Sequence, residues 1–133
     1  MIGLSVGLMA DFTRDTSTAI VTDSATGLEW QDDAIGSSTT WQSAIDRCEN
    51  LTLGGQSDWR LPNINELKTI IDRSKVNPAI ISAFTQTSSD GYWSSTTTED
   101  YKDNAWGVYF YDGYVGSHGK DNYYYVRCVR AGQ

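Results

Sequence analysis

Basic residues are scarce in this chain. Lysine and arginine number 10 against 17 aspartates and glutamates, a formal net charge of −7 over 133 residues. Such a surface repels phosphate backbones, so nucleic acid is excluded as a natural partner, and heparin-like polyanions are disfavoured without a local basic patch. Histidine is scarcer still, with His118 standing alone. A zinc site draws three or four ligands mainly from histidine and cysteine, and this chain falls short. A catalytic triad needs a nucleophile beside the histidine, and no nucleophile-elbow signature is present. A glycine-rich phosphate cradle is missing as well. Nothing favours a paired-carboxylate glycosidase, and no enzyme is expected. Long apolar runs are also lacking. Met1 to Ala10 is apolar but has no basic flank and is too short for a signal peptide or a membrane span. The preferred reading is an edge strand near the C-terminus, ahead of an export remnant, and no membrane insertion is expected. Cysteine is limited to Cys48 and Cys128. An even count permits one bridge and leaves open two buried free thiols. A bridge would close about 80 residues, contribute roughly 4–5 kcal/mol and imply an oxidising compartment.

What is abundant is aromatic. From Asp90 to Cys128 the chain sets Trp93, Tyr101, Trp106, Tyr109, Phe110, Tyr111, Tyr114, Tyr123, Tyr124 and Tyr125 among short polar residues. Ring faces beside short polar side chains make a recognition surface at low entropic cost. The length suits one domain, taken as residues 1–133.

Ile20 and Val21, then Leu28 and Trp30 at period two, predict a hairpin turned by Asp23 to Gly27. Trp41, Ala44, Ile45, Cys48 and Leu51 form an apolar stripe on a helix of about three turns. Thr39 and Gln42 fit a capping box there, and Gly54-Gly55 closes the helical region. Cys48 lies on the stripe, so any partner comes from the sheet that the helix covers. Asp58 to Asn63 is a rigid link, with Leu61 held extended by Pro62. Asn63 and Glu66 make a second capping box for a helix carrying Leu67, Ile70 and Ile71 and ending near Ser74. Residues 79–89 are expected to be weakly structured, anchored by Ile80, Ile81 and Phe84. Trp93 to Thr96 is expected as an irregular loop whose hydroxyls satisfy buried backbone. Trp106, Val108 and Phe110 share one strand face and Tyr109 and Tyr111 the other, with a turn at Asp112-Gly113. The last strand has apolar bulk on both faces, from Tyr124 to Val129, and is expected to be central. Helices segregated beside antiparallel strands give an α+β expectation.

These landmarks resemble a known family. They are Thr26-Gly27-Leu28-Glu29-Trp30-Gln31-Asp32, Trp41…Ala44…Cys48, Asp58-Trp59-Arg60-Leu61-Pro62-Asn63…Glu66-Leu67, Tyr92-Trp93-Ser94-Ser95-Thr96, Ala105-Trp106…Val108…Phe110…Gly113 and Tyr125-Val126-Arg127-Cys128-Val129-Arg130. The ordered set, over residues 19–130, resembles the DUF1566 family, also described as the C-terminal domain of the Legionella collagen-like adhesin. The resemblance implies a C-type-lectin-like fold: two helices packed beside short antiparallel strands, with long loops. It also implies a Cys48–Cys128 disulfide and a secreted, periplasmic or cell-surface location. The collagen-like adhesin binds sulfated glycosaminoglycans and assembles as a trimer. This chain carries no Gly-X-Y repeat and is strongly acidic, so that specificity does not transfer. Related lectin-like folds include hypervariable ligand-binding proteins whose variable residues sit late in the chain. They also include formylglycine-generating enzymes, whose reactive cysteines have no counterpart here.

The expected function is a ligand-binding module for a carbohydrate or a protein surface. Asp103, Asn104, Tyr109, Tyr111, Asp112, Tyr114, His118, Asn122 and Tyr123 are the candidate ligand-binding residues. The tyrosines supply contact area and the polar residues fix orientation. The alternative is a structural or oligomerisation domain of a surface adhesin, burying the same tyrosines in a homo-oligomer such as a trimer. No cofactor is required. Calcium is the one option, built from loop carboxylates among Glu99, Asp100, Asp103, Asp112 and Asp121 with Asn104 or Asn122.

Overall fold

The computed structural model describes residues 11–132. The architecture is two antiparallel sheets with two short helices. Strands β1 (Phe12–Asp15), β2 (Ile20–Asp23), β3 (Leu28–Gln31) and β7 (Val129–Ala131) form a four-stranded sheet in the order β1-β2-β3-β7. Strands β4 (Gly91–Thr98), β5 (Tyr101–Tyr109) and β6 (Tyr114–Gly119) form a three-stranded sheet in chain order. Helix α1 spans Trp41–Glu49 and α2 spans Ile64–Lys68.

The β2–β3 hairpin follows from its turn. The Asp23 carboxylate accepts from the Ala25 amide and the Thr26 hydroxyl, both at 2.9 Å, and Gly27 takes φ +77°. An aspartate folding back on its own turn, then a glycine in the left-handed region, is standard turn chemistry. Val21 then pairs with Trp30, and both are buried. In α1 the stripe of Ala44 and Cys48 faces inward as its spacing requires. The disulfide between Cys48 and Cys128 pins that helix to the segment just before β7.

The α+β, C-type-lectin-like expectation is overturned. Strand dominates, and the helices have only 9 and 5 residues. The physical reasons are local. The capping box at Asn63 and Glu66 forms in both directions, so α2 begins where expected. It stops at Lys68, however, because the Thr69 hydroxyl returns to the Glu66 carbonyl at 2.6 Å and Ile71 bridges to Ile80. Ile70 and Ile80 are therefore core residues without continuing a helix. The box expected at Thr39 does not form. Thr40 caps α1 without a side-chain bond, and the Gln42 amide reaches Asp46 instead. Gly54 and Gly55, expected to end that helix, lie in a separate Leu53–Gln56 turn with φ of +62° and +77°. Trp93 to Thr96 is part of strand β4, not an irregular loop. Its hydroxyls do satisfy backbone: Ser94 donates to the Trp106 carbonyl and Thr96 accepts from the Ile64 amide. The strand expected over Met1 to Ala10 lies outside the described residues.

The closing segment is a seam rather than a central strand. Tyr125 exchanges backbone bonds with Gly91 and Trp93 of the small sheet. Three residues on, Cys128 accepts from Gln31 of the large sheet, and Val129 bonds both ways with Arg60. Both faces are apolar because the segment runs between two packed layers.

That seam carries a buried ion pair. Asp32 and Arg127 are almost fully enclosed and meet at 2.9 Å. Asp32 also accepts from Arg14 Nε (2.7 Å), the Thr85 amide and hydroxyl (both 2.9 Å) and the Gln86 amide (3.1 Å). Arg127 donates to the carbonyls of Gln31 and Gln86 and to Thr87 Oγ1, and its guanidinium lies 4.6 Å from the Phe84 ring centre. Residues 84–87, which lack regular structure, are thereby fastened to the end of β3 and to the closing segment.

Burial alone would raise the Asp32 carboxyl, but the Thr85 amide, the Arg127 charge and Arg14 outweigh it and hold it below the ordinary carboxylate value. A folded-state pKa below the unfolded one means stability is fully present above the unfolded value, about 3.9, and is lost as pH falls through the folded value. Asp58, with its Arg130 hydrogen bonds, and Glu66, bonded by Arg60, shift the same way. The thermal midpoint should therefore be level from neutral pH to about pH 5 and drop below about pH 4. A midpoint independent of pH down to about pH 2 would contradict this reading of the carboxylates.

Candidate functional site

Pleat alternation decides which rings are free. On β5 and β6 the paired residues are Ala105 with His118, Gly107 with Gly116, and Tyr109 with Tyr114. Partners share a face, so Tyr109, Tyr114 and His118 lie together and Val108 and Val115 lie opposite, in the core. The glycines make room for the rings. A side chain at Gly116 would meet Tyr114 at 2.7 Å and His118 at 3.2 Å, and one at Gly91 would meet Tyr124 at 2.6 Å.

The result is a continuous aromatic cluster on one face of the small sheet. Tyr109 stacks on Tyr114 with centroids 6.1 Å apart and meets His118 edge-on at 5.0 Å. Tyr124 closes the group at 4.9 Å from His118 and 5.7 Å from Tyr109, and its hydroxyl bonds that of Tyr109 at 2.9 Å. Trp93 supports Tyr124 from the core at 5.0 Å. Tyr109 and His118 are half-buried, and Tyr114 projects from the group with 59 % of its surface exposed. Asp112 sits at the adjoining turn and accepts the Tyr114 amide at 3.0 Å, which fixes where the ring starts.

Burial, then the Tyr124 hydroxyl, pushes the Tyr109 phenol well above its ordinary value. Burial pushes the His118 imidazole down, so it is neutral near pH 7. Its Nε2 is enclosed without a hydrogen-bond partner among the described residues. The Asp112 carboxylate and the Arg73 guanidinium, which donates to the Gly113 carbonyl at 3.0 Å, bring charge of both signs to the turn beside the rings.

The nine candidate residues do not form one site. Tyr109, Tyr111, Asp112 and Tyr114 gather at the β5–β6 turn, with His118 further along the same face. Asp103, Asn104, Asn122 and Tyr123 belong to the other end of the hairpin, where Asn104 pairs with Gly119 and Lys120 bonds back to Asp103. Five residues of strand separate the two ends, roughly 17 Å at about 3.4 Å per residue. Tyr123, exposed at 65 %, and Tyr101, at 67 %, both stand toward that far end. Asn104 is half-buried and bonds Ser117 at 3.4 Å, a contact within the fold. Tyr124, which organises the cluster, was absent from the expected set. The signal for it was Gly91, since a glycine opposite an aromatic strand marks a ring lying across the backbone.

The loop carboxylates do not converge. Among the described residues no group of three histidine, cysteine, aspartate or glutamate side chains is placed to hold a metal ion. No helix among them is long and apolar enough to cross a membrane.

The fold and site define a disulfide-tied, two-sheet β domain that presents tyrosines on one strand face. The family model for the Lcl C-terminal domain matches residues 19–130, and the chain belongs to that family. It is a bacterial, adhesin-associated domain. No curated protein matches the chain. The family motifs now have places. Asp32 and Arg127 make the buried ion pair, Arg130 is bonded to Asp58 and Glu29, and Arg60 forks onto Glu66 at 2.7 and 2.8 Å. Those motif residues hold the fold together, and the tyrosine face lies outside them.

Proposed function

We propose that this domain is the ligand-binding part of a secreted or surface-exposed adhesin, and that it recognises a carbohydrate through the β5–β6 tyrosine face. The supporting observation is the stacked Tyr109–Tyr114 pair, one of whose rings is more than half exposed. Stacking holds Tyr114 in place and leaves one flat face for a ligand. A sugar presents its C–H face to such a ring and its hydroxyls to nearby acceptors. Asp112 supplies an acceptor at the rim, and Tyr111, 53 % exposed in the same turn, extends the contact. The net charge of −7 on the chain favours neutral glycans over sulfated ones. The mechanism has no chemical step.

A glycan array probed with and without calcium tests this. Neutral glycans should bind, and Tyr114→Ala should weaken binding roughly tenfold, on the scale of about 1–2 kcal/mol for an exposed aromatic contact. The variant should keep its thermal midpoint, because the ring is largely outside the core. An array without signal in either condition, or full binding by Tyr114→Ala, removes the reading.

One observation favours the second reading, an assembly domain. Strand β6 is the edge of its sheet, and no charged residue or proline interrupts Tyr114–Gly119. Unprotected edges of this kind pair with other chains. Solution mass separates the two: a monomer at micromolar concentration leaves the ligand face as the use of the exposed rings.

A further inference from the structure

Strand β6 carries an unsatisfied hydrogen-bond ladder along its outer side. In an antiparallel pair, residues that exchange N–H···O bonds alternate with residues that do not. The Lys120 amide bonds the Asp103 carbonyl at 2.8 Å, and that pair continues the register of Asn104 with Gly119 and of the pairs beyond. By alternation, Tyr114, Gly116 and His118 turn their backbone groups toward β5, and Val115, Ser117 and Gly119 turn theirs away. The Gly119 carbonyl fits this phase, because it accepts the Asn122 amide from outside the sheet at 3.0 Å. That bond also ends the free stretch. Among the described residues, no turn, loop or side chain bonds the backbone groups of Val115 or Ser117. Edges are commonly blunted by charge, proline or a bulge. Tyr114–Gly119 has no charged residue and no proline, and it pairs with β5 without a register shift, whereas β4 pairs with β5 through two.

The free groups are self-complementary. With two copies antiparallel about a twofold axis at Gly116, Val115 of each faces Ser117 of the other. Every outward donor and acceptor of those residues then meets its counterpart. An axis at Ser117 would set Val115 against Gly119, whose carbonyl is already taken. An axis at Val115 would set Ser117 against Gly113, whose carbonyl accepts from Arg73. At the Gly116 axis the strands come closest, about 4.5 Å between Cα atoms, and glycine has no side chain to obstruct them. The Tyr114 ring leans over Gly116, since a side chain there would meet it at 2.7 Å. The two Tyr114 rings, each 59 % exposed, therefore reach the axis on the same face. This register also sets Asp112 of one copy level with Lys120 of the other, so like charges are not opposed along the seam.

We propose that β6 is a homodimer seam, in which two copies pair edge to edge about Gly116. Two three-stranded sheets become one of six strands, with both tyrosine faces on the same side. The proposal rests on the assembly reading of β6 and is independent of what the rings bind. Val115 and Ser117 make too short an edge to bury the roughly 1,200 Å² of a permanent interface. Pairing is therefore concentration-dependent, and it makes the domain bivalent where copies are crowded together.

Sedimentation of the whole chain from about 10 µM to about 1 mM should show the mass rising from one chain toward two. Amide hydrogen exchange over the same range should show Val115 and Ser117 unprotected in dilute solution and roughly fivefold or more slower at the top of the range. Gly116 and His118, bonded to β5, should be protected throughout. Ser117→Pro removes an outward donor at a place where an edge strand tolerates proline, and it should abolish the dimer. Ser117→Ala should retain it. A dimer or trimer whose Val115 and Ser117 amides still exchange freely would overturn this seam and leave the assembly reading standing. A monomer at every concentration would overturn both. Protection of the two amides at every concentration would show that the chain covers its own edge and would overturn the seam. Undiminished pairing by a folded Ser117→Pro would do the same. Should that variant not fold, exchange in the parent protein decides.

Discussion

Replacing Asp32 by alanine should remove about 3–5 kcal/mol of stability, the cost of stranding a buried partner charge. Arg127 stays enclosed, with 3 % of its side chain exposed, and loses its counter-ion. Five donors converge on the Asp32 carboxylate, from Arg14, Thr85, Gln86 and Arg127. Alanine leaves all five to find other partners. Against a total of about 5–15 kcal/mol for a domain, that loss is large. The midpoint of thermal unfolding should fall by on the order of 10–20 °C. Arg127→Lys should also destabilise, since one ammonium cannot reproduce the fork that meets Asp32, Gln31, Gln86 and Thr87. A double-mutant cycle between Asp32 and Arg127 should show strong coupling. An Asp32→Ala protein within about 1 kcal/mol of the parent would show that the ion pair is not what fastens the end of β3 to the closing segment.

Removing the disulfide should have a comparable effect. Cys48 and Cys128 are separated by 80 residues, so the bridge restricts most of the unfolded chain. Loop-closure entropy puts its contribution at about 4–5 kcal/mol. Both cysteines are fully buried, one on α1 and the other at the seam beside β3. Cys48→Ala with Cys128→Ala should lower the denaturant midpoint. Mass analysis of the untreated protein should show two hydrogens fewer than the reduced chain. Full alkylation of both thiols without reductant would remove the bridge, and with it the argument for an oxidising compartment.

The parts legible in the sequence are those with local causes. The β2–β3 hairpin follows from Asp23, Thr26 and Gly27, and the start of α2 follows from Asn63 and Glu66. The stripe that places Cys48 inward on α1 was equally clear. The α+β expectation failed because apolar spacing does not show where a helix stops. Leu67, Ile70 and Ile71 sit at helical intervals, yet Thr69 and the Ile71–Ile80 bridge end the helix after Lys68. Strand β4 was hidden for a different reason. Its Ser94-Ser95-Thr96-Thr97 run has loop composition, and its hydroxyls are useful only once Trp106 and Ile64 are beside them. The closing strand was misplaced because two-sided burial does not tell a central strand from a seam between layers.

The candidate site was legible in composition and not in geometry. Alternation alone put Tyr109 opposite Val108, as found. It said nothing of hairpin length, so residues from both ends of β5 and β6 were pooled into one surface. Nor did it reveal Tyr124, whose place is set by long-range pairing of Thr39 with Tyr124 and Gly91 with Tyr125.

Laser-polarised NMR of the tyrosines, with and without the glycan that binds best on the array, tests the central claim most directly. In the free protein the exposed rings of Tyr111 and Tyr114 should polarise, as should Tyr101 at the far end of β5. Saturating glycan should quench Tyr114 and Tyr111 and leave Tyr101 bright. An undiminished Tyr114 signal in the fully bound protein would place the ligand elsewhere and contradict the account.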